Sequence, residues 1–195
     1  MEHYTTITNC RICGSEDLTE VVKFKPQYIG SKFVKSNANH PMAKVKIPMT
    51  LMFCNKCHLV QLEETVNPDL LYSDYYYRTS VNDTMKRDLK NVVDETVKRV
   101  YEGAAQTVID IGCNDATMLR MFPEEWNRIG VEPAKNIDWT DALEEGCEIY
   151  DDYFSYETVM TNWDYDHMAD AITCCACFYD FPDPNEVVQD IKKLL

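Results

Sequence analysis

The sequence predicts an α/β protein in which a small cysteine-bearing domain precedes a partial parallel sheet with covering helices. Two C-x2-C pairs lie in the first part of the chain, and short apolar segments alternate with helical ones after residue 104. Strands that alternate with helices in this way form parallel sheets. We expect a metal-binding domain over 1-75, a linker helix over 76-103 and a sheet domain, truncated after about four strands, over 104-195.

Composition and charge limit the classes of function. The chain has 195 residues, of which 45% are hydrophobic, enough for one core and a small module. It has no apolar run of about 18 residues and no signal-like start, so we expect a cytoplasmic protein without a membrane span. Residues 1–100 carry 14 basic and 12 acidic side chains, whereas residues 101–195 carry 5 and 21. An acidic second half repels phosphate backbones, which argues against nucleic acid as a partner.

The two C-x2-C pairs, "CRIC" and "CNKC", predict a structural zinc site. Its ligands would be Cys10, Cys13, Cys54 and Cys57. Two such pairs complete a tetrahedral thiolate site with no open position. A disulfide needs an oxidising compartment, and a thioredoxin-like motif needs a single pair. Gly14 would close the first turn, and the run "MTLMF" would lead a strand into the second, as in a zinc ribbon with a long insertion.

The remaining histidines and cysteines are less suited to metal binding. His3, His40 and His58 are competing ligands in principle, but we expect them at the surface. Five cysteines lack the paired spacing: Cys113, Cys147, Cys174, Cys175 and Cys177. We expect these to be buried thiols that pack as small hydrophobes. The alternative is a second metal site in "CCAC", which we disfavour because alternate positions of a strand face opposite ways.

The order of helices and strands follows from hydrophobic spacing. An amphipathic helix is expected to begin at Asn82 or Asp83 and to stop at Gly103. The strands that follow are predicted at "TVIDI", "RIGVE", "EIY" and "ADAITCC". Helical segments are predicted at "ATMLRMF", "IDWTDALEEG", residues 155–163 in a helical or loose form, and "PNEVVQDIKKLL".

The segment "TVIDIGCNDATML", residues 107–119, has the pattern of a strand and turn that hold a nucleotide cofactor. It carries one glycine, Gly112, where a dinucleotide site has three. A pyrophosphate also needs neutral or positive surroundings, whereas Asp110 and Asp115 lie here. S-adenosylmethionine (SAM) has no phosphate, and its sulfonium and ammonium groups are cationic. The loop therefore favours SAM over NAD.

An acid at the end of the next strand supports the same choice. Glu132 ends "RIGVE", where a carboxylate can accept hydrogen bonds from both ribose hydroxyls. The alternative is a surface acid in the turn before Pro133. Together with "DIGCND", the position favours the ribose contact.

Six segments then occur in a characteristic order: "CRICG", "CNKCHLVQL", "LYSDYYYRTS", "VIDIGCNDATML", "GVEPAKNI" and "FYDFPDP". Over nearly all its length the chain resembles SAM-dependent C-methyltransferases that act on nucleotide-linked deoxysugars. That family has an N-terminal zinc-binding domain and a Rossmann-like class I methyltransferase sheet, so the resemblance implies zinc and SAM as cofactors. It implies SAM contacts from Asp110, Gly112, Asn114, Glu132, Asp152 and Tyr153, with Ser80 near the methionine end and Tyr77 near the transferred methyl.

Three departures from the family pattern bear on catalysis. Ala116 stands where the family usually has glycine, a change that a helix start would absorb. Asp180 stands where the family typically has a histidine near the reacting carbon; a carboxylate can remove a proton but opposes the resulting enolate. The family's closing strands and C-terminal domain have no counterpart in this sequence, so one sheet edge would be open unless a complementing chain or a homo-oligomer covers it. The alternatives are a fragment, a natural truncation, or a remainder supplied in trans.

Functions of different classes remain open at this point. A methyltransferase, or its SAM-binding portion, would methylate a carbon of an NDP-keto-deoxysugar, with Tyr77 as candidate base and Asp180 as helper. The alternative is a non-catalytic zinc and SAM-fold module that binds a partner or a sugar nucleotide. An O- or N-methyltransferase of other small molecules is a further alternative, because the sequence does not define an acceptor site.

Overall fold

The computed structural model describes residues 3–30, 32–33, 44–100 and 106–195. The chain divides into two compact units, Met1–Tyr76 with Pro182–Asn185, and Tyr77–Phe181 with Glu186–Leu195. The expected α/β class is confirmed, with a parallel four-stranded sheet in the described part of the second unit. The domain limits at 75 and 103 stay predictions.

The first unit is built from antiparallel ladders and a short helix. Its elements are β1 Tyr4–Thr6, β2 Leu18–Tyr28, β3 Lys46–Cys54, β4 Val60–Leu62, β5 Glu64–Val66 and α1 Pro68–Tyr72. β3 lies between β2 and β4, and β1 pairs with β5. Because β3 ends at Cys54, the strand predicted from "MTLMF" does lead into the second cysteine pair.

β2 is a long strand that the sequence pattern did not reveal. Every residue after Leu18 in this strand is exposed. Its pairing with β3 shifts register between Glu20 and Val22 and again between Phe24 and Gln27. A bulged strand with water on both faces needs no alternation of apolar and polar residues, so it lacks the usual sequence signal. The insertion predicted over residues 28–44 lies mostly outside the described residues.

The second unit contains the parallel sheet and its covering helices. Its elements are α2 Asp83–Arg99, β6 Thr107–Ile111, β7 Asn127–Val131, α3 Thr140–Glu144, β8 Cys147–Tyr150, α4 Tyr156–Thr161, β9 Ala171–Thr173 and α5 Pro184–Leu194. Three 3-10 turns lie at Thr79–Val81, Leu119–Met121 and Phe178–Asp180. The strand order is β8-β7-β6-β9, with all neighbours parallel. The chain therefore moves outward from β6 to β8 and returns to β9 on the other side of β6.

Apolar side chains cover both faces of this sheet. Along β6, Val108 and Ile109 belong to different core clusters, because successive strand residues face opposite ways. Leu89 of α2 lies in the cluster of Val108, and Leu194 of α5 lies in the cluster of Ile109. The sheet is therefore covered by helices on both sides, as the alternation of strands and helices predicted.

The start of α2 is the one predicted from the sequence. Asn82 caps the helix, and its side chain accepts a hydrogen bond from the backbone N–H of Met85 at 3.0 Å. The helix ends at Arg99, with Val100 as its C-cap. Gly103, the predicted stop, lies outside the described residues.

The helix predicted at "ATMLRMF" is wrong, since this segment forms turns and the 3-10 turn Leu119–Met121. Two features at its ends explain the difference. Ala116 has a φ of 58°, which no right-handed helix permits. Phe122 is extended before Pro123, as the residue before a proline prefers. About one turn of chain is left between them.

Within the described ranges, every helix is too short or too polar to cross a lipid bilayer.

Candidate functional site

Four thiols converge in the first unit. The Sγ atoms of Cys10, Cys13, Cys54 and Cys57 all lie within 4.8 Å of one another. The Cys10 to Cys57 distance is 3.5 Å and the Cys13 to Cys54 distance is 3.6 Å. Thiolates around a tetrahedral zinc at 2.3 Å stand about 3.8 Å apart, so this spacing fits the ion closely.

The two cysteine turns have the same backbone design. The residue after each pair, Gly14 or His58, is left-handed, with φ of 68° and 66°. Its N–H donates to the carbonyl of the first cysteine of its own pair, at 2.9 Å for both. The N–H of Cys57 reaches Cys54 Sγ at 3.5 Å and chiefly accounts for the lowered pKa of that thiol. Such N–H groups stabilise thiolates, which are the form that binds metal.

Histidine takes no part in this cluster among the described residues. The ring of His58 stacks on Phe53 at 5.7 Å instead. His40 lies outside the described residues. The sequence identified Gly14 as a turn residue but missed the equivalent role of His58, because a left-handed histidine has no distinctive sequence signal.

A second candidate site lies where the strand order reverses, at the carboxyl ends of β6 and β9. Parallel sheets bind ligands at such reversal points. The loop after β6 contains three left-handed residues, Gly112, Asn114 and Ala116, with φ of 70°, 52° and 58°. Dinucleotide-binding loops have the pattern G-x-G-x-x-G, so Gly112 and Asn114 stand at its first two glycine positions and Ala116 lies one residue before the third. A positive φ is unfavourable for an alanine. Ala116 is therefore strained, and it does not begin a helix as the sequence suggested.

Most backbone N–H groups of this loop are already used inside the protein. Those of Gly112 and Cys113 donate to the carbonyl of Val131, at 2.8 and 3.4 Å. That of Ala116 donates to the Cys113 carbonyl, and that of Thr117 reaches Asp115 Oδ1 at 3.3 Å. The loop is thus held rigidly, and these donors are not available to a phosphate.

Asp110 is buried at the end of β6. Its Oδ1 accepts a hydrogen bond from the hydroxyl of Thr173, the last residue of β9, at 2.8 Å. Burial raises the pKa of Asp110 to about 7, and the nearby charge of Glu132 adds to the rise. The pair joins the two strands at the reversal point, a role for Thr173 that the sequence did not reveal.

Glu132 is buried directly after β7, facing the same loop. Its Oε2 accepts the N–H of Asn114 at 2.9 Å, and its Oε1 accepts the N–H of Ala134 at 3.0 Å. Burial raises its pKa, which these two bonds and the charge of Arg78 partly offset. Each carboxylate oxygen has a further lone pair. Glu132 can therefore support the loop and still accept hydrogen bonds from a ligand.

The loop also holds the segment that carries Tyr77 and Ser80. Asn114 Nδ2 donates to the Tyr77 carbonyl at 3.1 Å, and Asn114 Oδ1 accepts the N–H of Thr79 at 3.0 Å. Asp115 Oδ2 accepts the N–H of Ser80 at 2.9 Å. The structure therefore brings Tyr77, Ser80 and Asn114 together, and both side-chain atoms of the Asn114 amide bind the backbone of the segment that carries Tyr77.

The hydroxyl of Tyr77 is buried and has no hydrogen-bond partner in the described part of the chain. A buried hydroxyl without a partner is costly. It is therefore a group that a bound substrate can satisfy.

The other predicted residues follow β8 and β9. Asp152 and Tyr153 form a bend after β8, in which the N–H of Tyr153 lies 2.7 Å from Asp152 Oδ1. Asp180 is exposed on the 3-10 turn after β9. Trp139, which the sequence did not single out, donates from Nε1 to the Asn114 carbonyl at 2.9 Å.

The unpaired cysteines differ from the expectation that all are buried. Cys113 and Cys147 are buried, but Cys174, Cys175 and Cys177 are partly exposed. β9 ends at Thr173, so these three lie in a turn rather than on the strand that the sequence predicted.

Comparisons with known proteins bear on both units. Residues 10–72 match the family Methyltransf_13, described as "Putative zinc binding domain". The chain is 26% identical to the C-methyltransferase NovU of Streptomyces niveus over 190 residues. That match covers 97% of this chain and 45% of NovU, so the chain spans less than half of this relative. Together with the four converging thiols, the family match supports zinc as the metal of the first unit.

A solved structure is also similar. It is the plantazolicin methyltransferase BpumL in complex with SAH, with a TM-score of 0.42 and 16% identity. The likeness covers 59% of this chain and 51% of that one. A TM-score below 0.5 does not establish a shared topology.

Proposed function

We propose that this chain is the SAM-binding portion of a methyltransferase that methylates a carbon of an NDP-keto-deoxysugar. The loop after β6 carries the proposal. It lies where parallel sheets bind nucleotide cofactors, yet the N–H groups of Gly112, Cys113 and Asn114 are used within the protein. The following 3-10 turn, Leu119–Met121, offers no α-helix N-terminus to a pyrophosphate. A cofactor with a ribose but no phosphate fits these features.

The charge around the loop supports the same cofactor. Asp110, Asp115 and Glu132 lie on or beside it, and Arg78 is the cation that acts on Glu132. Near neutral pH Asp110 is only partly ionised, because its pKa is about 7, and a bound cation would favour its ionised form. The acids as a set suit the sulfonium and ammonium groups of SAM and oppose a pyrophosphate. Bound there, SAM would supply an electrophilic methyl group.

Each residue at the loop has a proposed role. Glu132 would accept hydrogen bonds from the ribose hydroxyls with its remaining lone pairs. Gly112 would let the cofactor approach the backbone. Asp110 and Asn114 would shape the loop, and Asp110 would contribute to its acidic surface. The bend at Asp152 and Tyr153 would lie beside the adenosine end.

The proposed chemistry on the acceptor needs a proton acceptor beside a sugar ketone. Removal of the proton next to the ketone would make that carbon nucleophilic toward the methyl group that SAM would supply, with the S–CH3 bond broken and S-adenosylhomocysteine as the leaving group. The partnerless hydroxyl of Tyr77 is the candidate for this proton transfer. Ser80 would lie near the methionine end, and Asp180 would assist from the turn after β9.

The name of the relative supports carbon as the methylated atom, since NovU is a C-methyltransferase. The nucleotide-linked sugar comes from the resemblance of the six sequence segments. Because the match covers 45% of NovU, we propose that acceptor binding needs the region corresponding to the rest of that protein. Without the residues that bind the sugar, the sugar is not oriented toward the methyl group, and the activation barrier rises by several kcal/mol.

The test uses methyl-labelled SAM and a 4-keto-deoxysugar nucleotide. The zinc-loaded chain should bind SAM and transfer its methyl slowly or not at all. Fusion to the unmatched part of NovU should raise the rate, Asp180→His should raise it further, and Tyr77→Phe should abolish it. Turnover by the chain alone at about one per second or faster would contradict the proposed dependence on further sequence. SAM binding without transfer in either form would favour the non-catalytic module, and label on an oxygen or nitrogen would favour the O- or N-methyltransferase.

A further inference from the structure

Two sulfur atoms outside the zinc cluster lie close together in the turn after β9. The Sγ atoms of Cys174 and Cys177 are 3.1 Å apart, and both side chains are partly exposed. The two residues have C-x2-C spacing, and Ala176 between them is left-handed, with a φ of 58°. A disulfide needs a sulfur distance of about 2.05 Å, so closure requires an approach of about 1 Å.

We propose that Cys174 and Cys177 form a reversible dithiol site that small disulfides, such as oxidised glutathione, convert to an intramolecular disulfide. The neighbouring thiol does not share this geometry. Cys175 packs with the core cluster on the other face of the sheet, where its Sγ lies 3.9 Å from Met118 Sδ. Cys174 and Cys177 pack with the cluster of Ile109. Cys175 is therefore a built-in control.

The two thiols differ in reactivity. The hydrogen bond with Cys177 lowers the pKa of Cys174, and the same interaction raises the pKa of Cys177. The Cys174 thiolate attacks one sulfur of the small disulfide, which forms a mixed disulfide and releases one small thiolate. Cys177 then loses its proton to water and attacks Cys174 Sγ, which releases the second small thiolate. Two electrons pass from the protein thiols to the small disulfide, so the reaction balances.

Oxidation at this site acts directly on the loop after β6. While Cys174 is protonated, Cys174 can donate its S–H to Cys177 Sγ, and Cys177 donates its own S–H to the Ile111 carbonyl at 3.2 Å. A disulfide sulfur has no hydrogen to donate, so this bond is lost on oxidation. The same sulfur would lie 3.0 Å from a Cβ placed on Gly112, which shows how closely it approaches the loop. Oxidation should therefore speed amide exchange in residues 107–119. A matching loss of SAM affinity rests on the proposed function, whereas the disulfide does not.

The test traps thiols in the zinc-loaded full chain after equilibration in glutathione buffers of increasing oxidised fraction. Samples are quenched in acid, alkylated and digested at aspartates, which places all three thiols in peptide 170–179. In excess oxidised glutathione this peptide should carry one alkyl group, on Cys175, and should be lighter by two hydrogen atoms. Excess reduced glutathione should restore three alkyl groups.

Variants separate this pairing from others. Cys175→Ser should retain the disulfide, whereas Cys174→Ser and Cys177→Ser should each lose it. Amide exchange of residues 107–119 should at least double in rate on oxidation of the Cys175→Ser variant and stay unchanged in the Cys174→Ser variant. A disulfide that includes Cys175, a stable glutathione adduct in the wild-type chain, or three alkylated thiols under oxidising conditions would overturn the proposal. These outcomes are independent of SAM, so failure of the proposed function would not produce them.

Discussion

The side-chain amide of Asn114 donates a hydrogen bond to the backbone carbonyl of Tyr77, at 3.1 Å. Its oxygen accepts the N–H of Thr79 at 3.0 Å, and its own N–H donates to Glu132 at 2.9 Å. One left-handed residue therefore links the end of β7 to the segment that carries Tyr77. The loop and the residue proposed for proton transfer are parts of one hydrogen-bonded assembly.

Removal of this side chain should release the segment that contains Tyr77. Asn114→Gly keeps the left-handed backbone and deletes two buried hydrogen bonds, which should destabilise the second unit by about 2 kcal/mol. Amide exchange should become faster at Thr79. Asn114→Asp keeps the acceptor for Thr79 but loses the donor to Tyr77, so Thr79 should stay protected in that variant. Equal protection of the Thr79 amide from exchange in the wild type and in the Gly variant would show that Asn114 does not hold this segment.

Alanine substitutions at two left-handed glycines of the second unit distinguish the cost of backbone strain from the cost of contact with Cys177. Gly146→Ala should cost about 1 kcal/mol from its φ of 80° alone, because the nearest atom to a new Cβ is 3.7 Å away. Gly112→Ala has a similar φ of 70° but brings Cβ to 3.0 Å from Cys177 Sγ, so it should cost more. Cys177→Ala in the Gly112→Ala background should recover the difference in denaturant unfolding. No recovery would mean that the sulfur is not in contact with the loop.

The buried Asp110 should make stability depend on pH. Its pKa of about 7 in the folded protein lies above the usual value of about 3.9 in an unfolded chain. The folded state therefore holds a proton that the unfolded state releases between these values, and the stability contributed by this group falls as pH rises from about 4 to 7. Asp110→Asn removes the titration and keeps an acceptor for Thr173.

The free energy of unfolding of the Asn variant, relative to wild type, should therefore increase across this pH range. The gain should be at most about 4 kcal/mol, the equivalent of raising a pKa by about three. Because the charge of Glu132 contributes to the raised pKa of Asp110, the measured gain reports Asp110 together with its interaction with Glu132. A difference that stays constant from pH 4 to 8 would show that Asp110 remains ionised.

The first unit should hold one tightly bound zinc ion per chain and should depend on it for folding. Metal analysis of protein purified without chelator should give a ratio near one. The Cys54→Ala, Cys57→Ala double variant should lose the metal, and His58→Gly, which keeps the left-handed turn but removes the imidazole, should retain it. A ratio near zero in the wild type, or zinc retained by the double variant, would refute the thiolate site.

The strands of the second unit were predictable because burial on both faces demands apolar runs. β6 coincides with the predicted "TVIDI", and all five of its residues are buried. β2 was not predicted, because it is exposed and bulged and its sequence therefore needs no alternation of apolar and polar residues. The helix expected after β6 failed for a local reason, namely the left-handed backbone at Ala116, a residue that ordinarily favours helices.

The candidate sites, too, were predictable only in part. The four zinc-ligand cysteines were predictable from spacing, because each pair needs one tight turn. The contacts of Asp110 with Thr173 and of Asn114 with Thr79 were not, since they join residues far apart in sequence. The position of Glu132 after β7 agrees with the prediction, but its two bonds to backbone N–H groups depend on the folded loop.

The central claim is that the loop after β6 binds SAM, and calorimetric titration of the zinc-loaded chain tests it most directly. SAM should bind one site per chain, at least tenfold more tightly than NAD. Glu132→Ala should weaken SAM binding by about 1.5 to 3 kcal/mol, the order expected for hydrogen bonds to a charged group, while Glu144→Ala, an exposed acid at the end of α3, should leave it unchanged. Equal affinity for SAM and NAD, or unaltered SAM binding by Glu132→Ala, would contradict the assignment of this loop.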